Sequence, residues 1–377
     1  MLKKDCKLAY ISTYSPQPCG IATYTEYLIN GLMKLKKDLS IRVIAESKAE
    51  HYKNNFIEVL PVWNRFNDYS KPIIKYSKGF DIIHLQHEFG IFQFDNRIIK
   101  MLNGLNEVGK KIVTFHCIKP KQFADLPTIE AHIKAVANLA DLNIVHLPAQ
   151  QAVLTRLGIE QKKIKLIPHG TELINIDKKI AREKLNLPIA GKILLMFGFV
   201  KAHKGYEIVL DSLREIIKYF PNTYFFIAGT LPSKPKKAEI KYLNYLKRRI
   251  NALHLTKQVI FPNKFFSNQD VPYVIAAADI VLFPYYEQDF SASGAFHLSI
   301  GAKKPVIASR IPKFEELGNI SEELLVLPHN HRQITALVKR LFEDTEFLNY
   351  IIKKTDSYRK KTSWQNIAKK HLEIYLA

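Results

Sequence analysis

Short apolar runs alternate with amphipathic stretches along this chain, and the alternation is played through twice. In the first half the runs are KLAYIS (from Lys7), IRVIA (Ile41), DIIHLQ (Asp81), KIVTFH (Lys111), LNIVHL (Leu142) and IKLIPH (Ile164). Ile, Val and Leu follow one another in them without in-out alternation, which suits parallel strands covered on both faces. Between the first two, Tyr24, Leu28, Leu32 and Leu35 recur at helical spacing. The second half restarts at KILLMFG (Lys192). It continues with TYFFIAG (Thr223), QVIFP (Gln258), DIVLFPY (Asp279), KPVIAS (Lys304) and LLVLP (Leu324), with Val209, Leu213, Ile216 and Phe220 on one helical stripe. This grammar predicts two doubly wound, Rossmann-like α/β domains. At 377 residues the chain is long enough for both. Between them TELINIDKKIAREKLNLPIAGK (from Thr171) is polar and has no strand pattern, so it reads as a linker followed by a short helix.

The formal charge of +21 points to anionic partners. The lysines are dispersed through nearly every helix, and no helix-turn-helix, zinc-finger or RNA-binding signature accompanies them, which argues against nucleic acid. Phosphorylated ligands and an acidic membrane leaflet are the expected partners. Cys6, Cys19 and Cys117 are odd in number and lack CxxC spacing, a pattern of reducing compartments. The first apolar run is too short for a signal peptide, and no uninterrupted apolar stretch is long enough to span a bilayer. A cytoplasmic protein, peripheral on the inner face of the membrane, is the expectation.

Ligands of open parallel sheets sit at the carboxyl ends of the strands. Two such domains facing each other across a cleft would place function just after the runs above. After KLAYIS, Pro16, Pro18 and Gly20 precede a helix whose first amides suit a phosphate oxygen; a tight turn that needs glycine for packing is the alternative. His87, Glu88 and Gly90 follow the third run, and His116 ends the fourth. Such histidines can hold sugar hydroxyls or merely bond a carbonyl. His84, His146 and His169 also fall in or after strands, but no pair has metal-site spacing, so no metal is expected. After KILLMF, Gly198, Lys201, Lys204 and Gly205 set two ammonium groups beside a helix start, a site for a diphosphate or a solvated basic loop. The phosphate-loop pattern GxxxxGK[ST] is absent. After DIVLFPY come Glu287 and Asp289, then Ser291, Ser293 and Gly294 at another helix start, where an ordinary N-cap is the alternative.

Taken in order, these segments resemble the retaining glycosyltransferases of family 4, of GT-B architecture. The resemblance runs from PxxCGIATYTEYL through HLQHEFGIF, TFH (114–116), LIPHG, GFVKAHKG, FIAG, ADIVLFPY and KKPVIAS to SWQNIAKKHLEIY. It implies that Gly20 lies near donor phosphate and acceptor, His116 beside the reacting sugar, and Lys204 on the diphosphate. Lys201 stands where an arginine often precedes that lysine. The segment FPNKFF, with Asn263, Lys264 and Phe265, is implied to hold the nucleotide base. In one respect the chain departs from the family. Aligned on KKPVIAS, Phe290 and Leu298 occupy the positions of two glutamates that touch the donor sugar and the ribose. Glu287, Asp289 or His297 would have to substitute; otherwise donor binding is altered or lost.

The resulting expectation is a hexosyltransferase of mannosyl or glucosyl type. It would use a nucleoside-diphosphate sugar as donor substrate, no further cofactor and no metal, and a glycan or lipid-linked acceptor. Domains are expected at residues 1–172 (acceptor) and 173–358 (nucleotide-sugar), with a C-terminal helix at 359–377 crossing back. The missing glutamates raise the alternative of an inactive GT-B partner or glycan-binding subunit. For membrane contact, Tyr242, Tyr245 and Leu246 among Lys241, Lys247, Arg248 and Arg249 form the candidate helix, a solvated helix over a core being the alternative of at least equal weight.

Overall fold

The computed structural model describes residues 6–36, 39–118, 126–288 and 290–377. The chain divides into two units: Met1–Gly170 with Asp289–Ala292 and Thr362–Ala377, and Thr171–Gln288 with Ser293–Lys361.

The first unit holds β1 (Lys7–Ser12), β2 (Ser40–Glu46), β3 (Tyr52–Lys53), β4 (Ile57–Trp63), β5 (Ile82–His87), β6 (Lys110–Phe115), β7 (Leu142–Val145) and β8 (Ile164–Leu166). They form one sheet in the order β3-β4-β2-β1-β5-β6-β7-β8, parallel throughout except for the β3–β4 pair. Every residue of β5 is buried, as continuous apolar runs require when helices cover both faces. β4, which the apolar-run reading passed over, is mostly half-exposed and contains Pro61, so it lacks the signal of a buried strand. Helix Gly20–Leu35 buries Tyr24, Leu28 and Leu32 but leaves Leu35 at the margin. Each such side chain contributes about 1.5–3 kcal/mol on burial.

The C-terminal helix Trp364–Leu376 packs on helix Gly20–Leu35. Two glycines make room for it: a β-carbon at Gly31 would lie 2.8 Å from the Ala368 β-carbon, and one at Gly170 would lie 2.3 Å from the Trp364 ring. At its end the Tyr375 hydroxyl bonds Tyr10 Oη at 2.7 Å and His84 Nδ1 at 2.6 Å. His84 Nε2 bonds Thr114 Oγ1 at 2.7 Å, so this histidine ties the helix to the sheet.

The second unit holds β9 (Lys192–Phe197), β10 (Thr223–Ala228), β11 (Val259–Ile260), β12 (Ile280–Phe283), β13 (Val306–Ser309) and β14 (Leu325–Val326), all parallel in the order β11-β10-β9-β12-β13-β14. The polar segment from Thr171 belongs to this unit, and the short helix expected in it is Lys178–Lys184. Asp177 caps helix Lys178–Lys184 by accepting from Lys179 N and Ile180 N. Arg182, buried, donates to the carbonyls of Ala277, Ile189 and Gly191 and to Asp279 at 2.6 Å. A polar sequence hid a buried anchor, because two of its partners, Ala277 and Asp279, lie far along the chain. Helix Thr345–Lys361 runs on past residue 358 inside the second unit, so the change of unit falls after Lys361. The return of Asp289–Ala292 to the first unit had no sequence signal.

Among the described residues no helix is long and apolar enough to cross a membrane. Helix Lys237–Ala252 corrects part of the membrane expectation. Leu246 is buried in the core, Tyr242 donates its hydroxyl to Glu207, and Arg249 pairs with Asp211 at 2.5 Å, so these three face the protein.

Candidate active site

In the second sheet the strand order reverses between β9 and β12, the topological switch point at which ligands of such sheets bind. The chain leaves β9 through Gly198, whose φ of +91° is natural only for glycine. A β-carbon there would stand 3.1 Å from Lys204 Nζ. A single 3-10 turn, Ala202–Lys204, ends at Gly205 (φ +73°), where a β-carbon would strike the Pro284 carbonyl at 2.4 Å. These two glycines draw Lys204 in against the carboxyl end of β9. Its Nζ lies 3.4 Å from the Phe197 carbonyl and 5.6 Å from the centroid of the Tyr285 ring, on the strand end next door.

Among the described residues no carboxylate neutralises Lys204. Burial, and then the charges of Lys201 and Lys313, push its ammonium down to about 7. An ammonium held among like charges at a strand end is stabilised by any anion brought near it. Lys313, from the segment after β13, is a third cation that sequence reading missed, since nothing in SRIPKFEEL distinguishes it. Glu287 is half-exposed, and its Oε2 lies 3.1 Å from His203 Nδ1. Burial holds the His203 imidazole below its ordinary value, with Glu287 opposing.

Beside this cluster the β9 and β10 ends touch: a β-carbon on Gly229 would sit 2.0 Å from the Gly198 carbonyl oxygen. Asn263 adopts φ +49° and accepts at Oδ1 from Thr230 Oγ1 at 3.0 Å. Lys264 Nζ lies 5.0 Å from the Phe266 ring. Phe265 and Phe199 are 61% and 42% exposed, with ring centroids 6.3 Å apart, a pair of bare aromatic faces that a planar base could use. Thr230 lies in no motif, and Phe199, although inside GFVKAHKG, is not singled out by the sequence.

Ser293 is the N-cap of helix Gly294–Gly301, accepting from Phe296 N at 3.2 Å. Its hydroxyl therefore serves the helix, and the anion-binding capacity at Gly294 resides in the first-turn amides. Asp289 lies outside the described residues. Phe290 packs against the apolar core of the first unit, and its carbonyl accepts from Ile118 N and Gln150 Nε2, each at 3.0 Å. Leu298 packs on the second unit's core. His297 does not stand in for the absent glutamates. It is buried, with Nδ1 2.8 Å from Thr171 Oγ1 and Nε2 3.1 Å from Glu316 Oε2, and Glu316 in turn accepts from the Tyr358 hydroxyl at 2.9 Å.

In the first unit the strand order reverses between β1 and β5. Gly20 opens its helix there, and a β-carbon at this position would meet no atom within 4 Å. Packing does not demand glycine, which removes the tight-turn explanation. His116 is buried; its Nε2 lies 2.8 Å from Gln86 Oε1, and its ring meets Tyr24 edge-on at 4.6 Å. Burial, reinforced by neighbouring histidines, holds it well below its ordinary value and therefore neutral. With Nε2–H given to Gln86, Nδ1 is the acceptor. His146 Nδ1 bonds the Ile167 carbonyl at 2.8 Å and His169 Nδ1 the Gly170 carbonyl at 2.7 Å, the bland role of strand-end histidines. His87 is enclosed by Phe89 and Phe115, and burial lowers it to about 3.

Glu88 caps the short helix Phe89–Phe92 by accepting from Gly90 N at 2.5 Å. Around it runs a polar network that sequence reading missed. Arg65 donates to Glu46 (Nε–Oε1 2.5 Å) and to the Gly90 carbonyl (2.8 Å), and Gln17 donates to Glu46 at 2.8 Å. Burial works against the Glu46 charge, yet the bonds from Arg65 and Gln17 outweigh it and hold the carboxyl below its usual range. Among the described residues no three His, Cys, Asp or Glu side chains converge as metal ligands would.

Residues 177–358 match the family model of Glycosyl transferases group 1. The chain is 26% identical to mannosylfructose-phosphate synthase of Agrobacterium fabrum over 164 residues, 41% of this chain and 35% of that protein. It is 20% identical to D-inositol 3-phosphate glycosyltransferase of a Nocardioides species over 315 residues, 78% of this chain and 67% of the other. Similarity to the first of these thus spans only about a third of its length. Among solved structures, Anabaena HepE in complex with UDP superposes with a TM-score of 0.73 at 17% identity, covering 98% of this chain and 99% of that one. Sucrose-phosphate synthase of Thermosynechococcus elongatus gives 0.76 at 19%, covering 98% of each. These likenesses establish the fold as GT-B.

Proposed function

We propose that this chain is a glycosyltransferase that moves a hexosyl group, of mannosyl or glucosyl type, from a nucleoside-diphosphate sugar to a glycan or lipid-linked acceptor. The observation that carries the reading is the Lys204 ammonium, set beside Lys201 and Lys313 at the switch point of the second sheet with no carboxylate to neutralise it. Such a cluster matches a diphosphate. At about 4 Å and an effective dielectric near 20, each cation–phosphate pair is worth roughly 4 kcal/mol before desolvation. The family match over residues 177–358 supports the same assignment.

In this reading Lys201, Lys204 and the amides at Gly294 hold the departing diphosphate, where negative charge grows as the glycosidic bond breaks. Phe265 and Phe199 flank the base, with Asn263 and Lys264 beside it. Glu287 receives donor-sugar hydroxyls, partnered by His203. In the first unit, the amides following Gly20 and the neutral ring of His116 position the acceptor and the reacting sugar. Retention of configuration rests on the resemblance to family 4. Three lysines supply the charge that a divalent ion would otherwise provide, so no metal is invoked.

Screening nucleotide sugars for hydrolysis and transfer tests the proposal. Release of nucleoside diphosphate from one donor, abolished by Lys204→Met and unaffected by a chelator, is the expected result. Phe290 and Leu298 favour one second reading, a GT-B subunit that binds a nucleotide or glycan without turnover. Calorimetric binding of a donor without product release would select it.

A further inference from the structure

Helix Lys237–Ala252 has a face that the core does not use. Leu243, Leu246 and Ile250 are buried on one side. At 100° per residue the opposite half carries Lys237, Lys241 and Arg248, with Lys247 on its flank, all exposed, and no carboxylate. The one acidic residue of the helix, Glu239, is turned back as a cap, accepting from Lys236 N at 2.8 Å. Among these cations stand Ile240, 44% exposed, and Tyr245, 37% exposed. Elsewhere in this unit some helical cations are paired. Arg340 on helix His331–Glu343 pairs with Glu323, and Lys360 on helix Thr345–Lys361 pairs with Asp356 at 2.6 Å.

We propose that this face docks on an anionic lipid surface, with Ile240 and Tyr245 entering the headgroup layer and the four cations resting on its phosphates. Charge complementarity selects a polyanion, because exposed cations with no carboxylate among them attract an anionic surface. The exposed aliphatic and aromatic side chains select lipid over nucleic acid, since a phosphodiester backbone offers Ile240 no apolar environment. Each cation near such a surface strengthens partitioning roughly fivefold. Docking is independent of the donor chemistry proposed above.

Flotation with vesicles of phosphatidylcholine, with and without about one-third phosphatidylglycerol, tests it. Wild type should float only with the anionic vesicles. The exposed triple variant Lys237→Glu/Lys241→Glu/Arg248→Glu should bind at least a hundredfold more weakly, by the same per-charge figure, with an unchanged circular dichroism spectrum. Ile240→Ser/Tyr245→Ser should lose binding severalfold. As a control for overall charge, Lys353→Glu/Lys354→Glu/Lys361→Glu should float as wild type does. Failure of wild type to float would overturn the proposal, as would equal loss in the control. It would fall equally if the apolar double variant bound normally while single-stranded RNA binding followed the helix charges.

Discussion

Lys204 gives the proposed donor site a pH signature whose sign and size follow from the structure. Before the donor binds, its ammonium titrates near 7, because burial and the charges of Lys201 and Lys313 oppose the proton. A bound diphosphate supplies the missing counter-charge and should keep the lysine protonated. Binding therefore takes up a proton whenever the free lysine is neutral. By the titration relation this means about 0.9 proton at pH 8 and about 0.1 at pH 6. Affinity should be flat below about pH 6 and fall roughly tenfold per pH unit above 7. The nearby His203 is held below its ordinary value and adds little charge in this window. Lys204→Met keeps the stem and removes the proton; it should flatten the profile and weaken binding at pH 6 by on the order of a hundredfold, about 3 kcal/mol. Calorimetry with UDP-glucose and GDP-mannose, in buffers of different ionisation heat, reads proton uptake directly. The intact diphosphate of these donors has no group titrating in the range. Uptake that persists in Lys204→Met, or that is absent from wild type at pH 8, refutes the reasoning.

Gly20→Ala should leave the melting temperature unchanged, since a β-carbon there meets nothing within 4 Å, yet lower kcat/KM by tenfold or more, about 1.4 kcal/mol, if the acceptor approaches that turn. Gly170→Ala should lower stability by about 1–3 kcal/mol in chemical denaturation, because the Trp364 ring occupies the space at 2.3 Å. His297→Leu removes one hydrogen-bond partner of buried Glu316, Tyr358 being another, and should cost about 1–3 kcal/mol, with part of the loss recovered in His297→Leu/Glu316→Gln.

All strands but β3 and β4 were legible because buried parallel strands read as unbroken Ile/Val/Leu runs, and the positions of Lys201, Lys204 and Gly20 followed from where those runs stop. What escaped was set by partners far along the chain. Lys313 joins Lys204 only because β13 lies beside β12, next to β9 in the sheet. The Gln17–Glu46–Arg65 network brings three separate loops together, each carrying an unremarkable polar residue. Histidine type alone could not tell His116, neutral and bonded to a side-chain amide, from His84, which fastens the C-terminal helix. His297, one of the three candidates to replace the missing glutamates, has its two ring nitrogens engaged by Thr171 and Glu316.

A crystal structure with a bound nucleotide sugar examines the central claim most directly. The diphosphate should lie within hydrogen-bond reach of Lys204 Nζ and of the amide of Gly294, with the base against Phe265. A donor bound elsewhere, with the Lys204 ammonium still facing only Phe197 and Tyr285, would contradict the account.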